Sequence, residues 1–527
     1  MQVFFRQYNY CAKLADSSTE NEMEHHIFMT ALIFIAGIVA FGAAYYCYKK
    51  DNFRFALVWI IAAGFLWRLD CALDPQLHQW DERFHALVAK NVMEDPFAPK
   101  LYSRVPLDYD YQHWGNNHIW LHKQPLPFWV MGGSMKIFGL SPLALRLPAL
   151  VMSTLLIWFT FLIGSKLFDQ RIGLLAAFFH AINGMVIEIG SGRVATDHVD
   201  IFFFFFIELA ILLAVLYREK PLIRYLLLVG VFTGMALLCK WLPGLIVIPV
   251  FIILNFNREN GILPLMKAVL IITVAMVVVA LPWQVYAARN FPLEYWWENG
   301  YNLKHLTHSV ETHGKPWWYH LANMGRIWNE MIYVALPWFL WKTLKKGWNA
   351  ANYTLLAWIV IPYLVFSLAA TKMQGYVLFT GPAFFLILAW FIFELQYLAK
   401  QDRNFWVKWF YHGGMAVILL LAFRFGLERV KPFQEQEEGY KLQSALMKLE
   451  DQVDKESSII FNTPRYIECM FFTRHLAYEK IPSKEEVNRL LFSGEKVFVI
   501  DDNHLPEYLR HNAKVVKIDE QLLESKQ

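Results

Sequence analysis

Residues 53–83 read FRFALVWIIAAGFLWRLDCALDPQLHQWDER: an apolar run that closes at Arg68, then a polar stretch leading into Trp80-Asp81-Glu82-Arg83. A helix needs roughly 20 apolar residues to cross the ~30 Å hydrocarbon layer of a bilayer, and the run approaches that length. Similar runs recur along the chain, so this one reads as a membrane span with an acidic motif just beyond it. A second acidic motif, Arg193 to Asp197, follows another apolar run. Two carboxylates at one membrane surface point to chemistry.

Composition agrees with the spans. Of 527 residues, 56% are hydrophobic, 17% aromatic and only 18% charged. A single soluble core stops growing near ~250–300 residues, so the class is an α-helical polytopic membrane protein. Spans are expected at 27–48, 53–69, 146–168, 172–190, 199–217, 221–239, 241–256, 262–287, 328–341, 352–370, 376–396 and 405–425, about twelve in all. This divides the chain into an N-terminal segment 1–26, a transmembrane domain 27–425 with long loops 70–145 and 288–327, and a tail 426–527. The first span lies far from the N-terminus and lacks a small-residue cleavage site, so it is expected to be a retained helix. The net charge of +4 is small and its basic residues lie between spans, which excludes a nucleic-acid partner. The five cysteines, Cys11, Cys47, Cys71, Cys239 and Cys469, show no metal-ligand spacing and read as packing residues.

Short cytoplasmic loops collect Lys and Arg. Counting loops alternately, one set holds Lys49, Lys50 and Arg54; Lys166 and Arg171; Arg218, Lys220 and Arg224; Arg258; Lys342, Lys345 and Lys346; and Lys400, Arg403 and Lys408. That set is expected in the cytoplasm. The N-terminal segment, loop 70–145, turn 191–198, loop 288–327, turn 371–375 and the tail then face outward, and both acidic motifs go with them. Lys123, Lys240 and Lys372 lie on or near this outer side, where the charge rule disfavours them. Any one of them alone reads as a lysine snorkelling to the headgroups. Three converging near two carboxylates read as an anion site, and the expected anion is a phosphate at the membrane surface.

A sugar linked to a polyprenyl phosphate suits that arrangement. The tail stays among helices, the phosphate sits at the interface, and the anomeric carbon meets an acceptor outside. Transfer needs a carboxylate to take the acceptor's proton and cations to stabilise the departing phosphate. Asp81 and Asp197 meet the first need; Lys123, Lys240 and Lys372 meet the second. Phosphate leaves without a protein acid, so direct displacement with inversion is expected.

At this point the chain resembles a known group, the lipid-dependent GT-C glycosyltransferases that include the protein O-mannosyltransferases and the lipid A aminoarabinose transferase. The resemblance covers roughly residues 60–400 and rests on motifs in order. These are Asp81-Glu82; Lys123-Gln124-Pro125 with Phe138-Gly139 and Arg146-Leu147-Pro148; Arg193 to Asp197; Lys240 before Gly244; Pro282-Trp283; and Phe366-Ser367 leading to Lys372 and Tyr376. It implies that Asp81 is the catalytic carboxylate, that Glu82 supports it or touches a cation or the acceptor, and that Asp197 is the second acidic residue. It further implies that Lys123, Lys372 and Tyr376 bind the donor phosphate, with Lys240 and Arg193 also placed among the donor phosphate-binding residues. The loop 288–327, with Asn302, His305, His308 and His313, resembles the outer segment that helps to enclose the site. Four positions depart from the pattern: His85 stands where Tyr is common, Gln124 replaces the first of two prolines, His305 replaces an arginine, and Arg193 and Asp197 are one residue closer together. His85, Asn302 and His305 are accordingly placed on the acceptor or loop side.

Plainer readings compete at several positions. Asp81 also reads as a cap for a helix starting at Glu82, which is compatible with catalysis, and Asp197 as a cap for one starting near His198, with Asp200 a nearby competitor; at both positions the catalytic reading is preferred. His78, His85, His305, His308 and His313 invite a divalent metal cation, yet no helical two-ligand spacing with a carboxylate is visible, so the metal stays open. Glu208 and His180 fall inside spans, toward the inner half and away from the site, and a structural hydrogen bond is the expected role of each. Trp296, Trp297, Trp317, Trp318 and Tyr319 suit an interfacial aromatic belt or a sugar-stacking surface. Phe202 to Phe206 is a packed or lipid-facing helix segment. The tail shows apolar stretches at 458–461, 496–500 and 514–518 and helical patterns at 483–492 and 504–511, capped by Ser483 and Asn503: a small α/β domain outside the membrane. Its acidic run Glu435 to Glu438 reads as a solvated face or linker.

The resulting expectation is an integral, multi-pass enzyme of the cytoplasmic (inner) membrane with its site on the periplasmic or extracellular side. It moves a sugar from a polyprenyl-phosphate-linked donor to a lipid, glycan or protein acceptor. The alternative is a secondary transporter or lipid flippase. Against it, the charges gather at one face rather than at the midplane, and no inverted repeat is visible.

Overall fold

The computed structural model describes residues 18–194, 198–257, 261–432, 445–446, 449 and 458–519. Apolar sequence becomes helix here because a backbone out of water must satisfy its own hydrogen bonds. Ser18–Lys49 (α1) and Phe53–Ala72 (α2) pack as a hairpin, with the Asn52 side chain accepting from the Phe55 amide at the turn. The chain then leaves the bundle for Asp81–Val92 (α3) and Leu126–Phe138 (α4). Pro142–Leu167 (α5), Gln170–Ile182 (α6), Gly184–Gly190 (α7), His198–Glu219 (α8), Ile223–Lys240 (α9) and Val247–Asn255 (α10) follow. Leu263–Asn290 (α11) leads into Pro292–Thr307 (α12), and Tyr319–Trp328 (α13), Ile332–Lys346 (α14), Ala350–Leu368 (α15), Gly381–Gln401 (α16) and Phe405–Val430 (α17) complete the helical body.

Burial, rather than apolarity, sets the layers. In α8 and in the span Gln374–Gln401, 83% of the most apolar stretch is buried against protein, whereas α17 buries 22% and α11 28%. The first two form the centre. The last two turn Leu270, Val274 and Val278, and Leu420 and Phe423, outward as a lipid-facing surface. Phe202, Phe203, Phe204 and Phe206 are buried, so the phenylalanine run is packed. Gly234 lets α9 lie directly on α11, since a Cβ there would stand 2.7 Å from Val279 Cβ.

Among the described residues nine helices are long and apolar enough to cross a membrane, or ten if one bent pair counts as a span. The sequence expectation of about twelve differs at identifiable breaks. The expected span 172–190 is α6 and α7, bent by 52° at Asn183. The Asn183 side chain caps the Val186 amide at 3.1 Å and donates to Ile327 O at 2.9 Å, so the bend is held by hydrogen bonds that replace the missing helical ones. Span 241–256 opens with a 3₁₀ turn, Leu242–Ile246, before the short α10. Span 328–341 begins at the break between α13 and α14, where Asn329 donates to Ile418 O at 3.0 Å. Inside the body, Thr160 bonds both the Glu208 carboxylate and His180 Nδ1, each at 2.7 Å, so each has a structural hydrogen bond, and the two share one partner. Cys71, Cys239 and Cys469 are buried and Cys47 is partly so; Cys11 lies outside the described residues.

The tail forms a parallel sheet of Ser458–Phe461 (β1), Leu476–Tyr478 (β2), Lys496–Asp501 (β3) and Val515–Asp519 (β4), in the order β2-β1-β3-β4. Ile460 lies beside Ala477 on one side and Phe498 on the other. The helices are Tyr466–Phe472 (α18), Lys484–Phe492 (α19) and Glu507–Arg510 (α20). Ser483 and Glu486 make a full capping box at α19. Asn503, in contrast, does not cap the next helix: it has φ +66 and α20 starts only at Glu507. Glu435 to Glu438 lie outside the described residues.

The sheet is fastened to α3. Arg83 reaches the fully buried Glu468 at 3.5 Å, and Lys90 Nζ donates to the carbonyls of Met470, Phe471 and Thr473 at 2.7, 3.0 and 2.7 Å. These contacts align α18 parallel to α3 and satisfy carbonyls that a helix end leaves open. Arg104 pairs with Glu495, Tyr102 stacks on Tyr478, and the Tyr466 hydroxyl donates to Gly115 O at 3.2 Å.

Candidate active site

Asp81-Glu82, Lys123, Arg193, Lys240, Lys372 and Tyr376 gather at one end of the helical body, where α2, α7 and α9 end and α8 begins. Two arrangements stand side by side there. The first is a closed network around Glu82, which has no exposed surface. Arg146 Nε donates to Glu82 Oε1 at 2.7 Å and Arg146 Nη2 to Oε2 at 3.0 Å. His198 Nε2 lies 3.1 Å from Oε1 and His78 Nδ1 2.7 Å from Oε2. His78 also bridges to Asp74 at 3.1 Å, and Arg193 grips Asp74 with two bonds of 2.6 and 2.7 Å. Gly192, at φ +74, belongs to this packing, because a Cβ there would lie 2.6 Å from Glu82 Oε1.

Electrostatics follow from the geometry. Burial would push the Glu82 carboxyl up, but the Arg146 guanidinium and the two histidines hold it well below the usual carboxylate range. Arg193 does the same for Asp74 against its own burial. Both carboxylates are therefore ionised and saturated with donors. The Arg193 guanidinium, expected at the donor phosphate, is instead committed to Asp74 and to the Val430 carbonyl.

The second arrangement is open. Asp81 is the first residue of α3, whose N-cap, Trp80, makes no side-chain capping bond; the capping reading of Asp81 is therefore set aside. Asp81 is half-buried and has no hydrogen bond or ion pair among the described residues, and its charge acts on His122 and Tyr376. Lys123 is likewise half-buried and uncommitted among the described residues, and it acts on His122, Glu298, His305 and Glu311. Lys240, at the end of α9, is paired with Asp200 and lies 4.9 Å from the centre of the Tyr376 ring. Lys372 is buried and donates through Nζ to Ala369 O. Its backbone amide bonds His313 O at 3.0 Å, and Ala370 and Thr371 bond Leu306 O and His305 O, so the segment after α12 is stitched to the lysine turn. Asp197 lies outside the described residues. His85 is buried between Trp120 and Phe128 rather than open to an acceptor.

Several groups at this end escaped sequence reasoning. His122 stacks on Trp114 at 5.2 Å and its Nδ1 lies 3.1 Å from Glu298 Oε2. Trp114 and Tyr301 both donate to Glu311, at 2.9 and 2.8 Å. Burial pushes the Glu298 carboxyl up to about 8, and it pulls the His122 imidazole well below its usual value, with Lys123 adding to the fall. Burial thus favours the uncharged form of both partners. A signal for it existed: Glu294, Glu298, Asn302 and His305 recur at helical spacing on one face of α12. Asn302 lines a recess with Glu298, while Trp296, Trp317 and Trp318 are exposed as an aromatic belt would be. No group of three or more His, Cys, Asp or Glu residues among those described is arranged to hold a metal ion.

Comparison with known proteins bears on this geometry. The family described as dolichyl-phosphate-mannose-protein mannosyltransferase matches residues 122–283. The structure of ArnT from Cupriavidus metallidurans bound to undecaprenyl phosphate superposes with a TM-score of 0.56, covering 85% of this chain and 88% of that one at 15% identity. The fold is GT-C. An archaeal oligosaccharyltransferase, AglB from Archaeoglobus fulgidus in complex with an inhibitory peptide and a dolichol-phosphate, shares this GT-C fold at TM-score 0.53 and 14% identity, over 81% of this chain and 65% of that one. In sequence, the undecaprenyl phosphate-alpha-4-amino-4-deoxy-L-arabinose arabinosyl transferase of Pseudomonas aeruginosa is 25% identical over 276 residues, 48% of this chain and 46% of that protein. The chain thus spans about half the length of the curated relative it matches. On the GT-C scaffold, the Asp81 carboxylate and the Lys123 ammonium make no hydrogen bond or ion pair among the described residues, and Tyr376 lies within the field of Asp81.

Proposed function

We propose that the chain is an inverting glycosyltransferase that moves a sugar from polyprenyl phosphate to a lipid, glycan or protein acceptor. One observation carries this reading. Asp81 is uncommitted among the described residues, and it stands within electrostatic reach of His122, which is also close to the uncommitted cation of Lys123. The acceptor hydroxyl oxygen attacks the anomeric carbon while Asp81 takes its proton. The bond from that carbon to the phosphate oxygen breaks, its electron pair stays with the phosphate, and the anomeric configuration inverts. Lys123 and Lys372 stabilise the departing phosphate. Lys240 shares its charge with Asp200 and so acts more weakly, through the Tyr376 ring. Asp197 keeps the second acidic role that the resemblance implies, and Asn302 and His305 border the entrance.

The donor class is supported by the relatives, one of which is named for an undecaprenyl phosphate aminosugar and another of which is bound to undecaprenyl phosphate. We place the site on the outer side of the cytoplasmic membrane. Lys49, Lys166, Arg218, Lys345, Lys346 and Lys400 cluster at the opposite helix ends, as cytoplasmic loops require.

The test is mass spectrometry of lipids co-purified with wild-type and Asp81→Asn protein. A polyprenyl-phosphate sugar enriched on the variant supports the reading and identifies the sugar. Bulk phospholipid alone on both, over repeated gentle preparations, counts against it.

A further inference from the structure

A narrow recess opens beside Lys123, walled by Leu121, Gln124, Trp283 and Gln284 and closed by Glu298 and Asn302 of α12. Most of its polar groups are already bonded to one another or to the backbone. Gln284 donates to Gln124 at 2.8 Å, and Asn299 and Asn302 donate to the backbone carbonyls of Tyr295 and Glu298. Glu298 differs from them. It is 2% exposed, its Oε2 is taken by His122, and its Oε1 has no partner among the described residues. Leaving a buried oxygen unbonded costs about 1–3 kcal/mol, a burden that binding sites carry more often than packed cores do.

We propose that this recess receives one hydrogen-bond-donating substituent of the donor's sugar, a hydroxyl or an ammonium, and that Glu298 is a specificity-determining residue for the sugar. The inference rests on the transferase reading above. Size supports a substituent rather than a whole ring, because the space admits about one water-sized group. Position supports it too. Lys123 borders the recess and belongs to the proposed phosphate field, and His122 links Glu298 to the field of Asp81. A sugar whose phosphate lies at Lys123 has its ring substituents within reach of α12. A site that bonds such a group rejects analogues lacking it far more strongly than an apolar pocket rejects a missing methylene.

The experiment measures binding of three probes to the purified full chain: undecaprenyl phosphate, undecaprenyl phosphate linked to 4-amino-4-deoxy-L-arabinose, and undecaprenyl phosphate linked to glucose. Wild type is compared with Glu298→Gln, which preserves shape, and with Glu298→Ala. The expected result is a loss of about tenfold or more for a sugar-bearing probe, with undecaprenyl phosphate unchanged. Loss in both variants with the amino sugar identifies an ammonium, whose binding displaces the proton that burial favours on Glu298 and leaves a charge that glutamine does not supply. Loss only in Glu298→Ala identifies a hydroxyl, since the glutamine carbonyl still accepts. Equal weakening of all three probes, or no change in any, overturns the proposal and leaves Glu298 to a buried water. Failure of the wild type to bind any of the three is a different outcome, because it removes the transferase reading itself.

Discussion

Asp81 and Glu82 are chain neighbours with opposite surroundings, and the contrast between their two regions organises this end of the molecule. Glu82 accepts from Arg146, His78 and His198 and has no surface left. Asp81, one residue earlier, accepts from none of the described residues and faces a half-open space. Successive positions at the start of a helix point about 100° apart, so a single turn delivers one carboxylate to the interior and one to the site. The buried region makes the neighbouring position rigid. The open region keeps charge available, because its groups are not consumed by one another. Lys240 shows the intermediate case, being part of the open rim yet already tied to Asp200.

The contrast breaks most sharply at Asp81. Asp81→Asn should lower turnover about 10²–10⁴-fold while leaving the melting temperature unchanged, since no bond within the described residues is lost. A large fall in melting temperature, or normal turnover, would show that the two carboxylates are not divided as described. Glu82→Ala should do the reverse. It strands the Arg146 guanidinium in a buried setting, and thermal unfolding in detergent should register a loss of about 3–5 kcal/mol. Comparable in size is the pH dependence of Glu298. Its carboxyl ionises near 4.5 in the unfolded chain and near 8 in the folded one, so its contribution to stability is full below pH 4.5 and is lost as pH rises to about 8. The amplitude should be on the order of 4–5 kcal/mol, and Glu298→Gln should flatten stability over that range. His122, Lys123, His305 and Glu311 are the charged or titratable groups facing it, so the same titration in Lys123→Met should move its midpoint upward. Smallest is the clasp on the tail. Lys90→Met should cost about 1–2 kcal/mol and raise amide hydrogen exchange in α18 before that of the helical body.

How much of this was legible in the sequence varies with the range of the interaction. Apolar runs located the helical body, and the pattern around Ser483 and Glu486 located α19, because both signals are contained in a few consecutive residues. The breaks at Asn183 and Asn329 were not visible, since each is stabilised by a carbonyl far along the chain, Ile327 and Ile418. β2 is three residues long and carries no usable alternation. At the site, residue types were legible and partners were not. Lys240 looked like a phosphate ligand until Asp200 was found against it, and His85 looked like an acceptor residue until Trp120 and Phe128 enclosed it. Asp74 drew no attention because the arginine that grips it lies 119 residues away.

The clasp between Lys90 and the last carbonyls of α18 carries one more consequence. α3 has Asp81 at its first position and Lys90 near its last, so one rigid rod of 12 residues joins the site to the sheet. Removing residues from 458 onward would unseat Arg83 and Lys90 within that rod, together with Arg104 in the loop that follows it. A truncation made far from the membrane, in what looks like a dispensable appendage, would thus misalign the proton-accepting oxygen as surely as a substitution beside it.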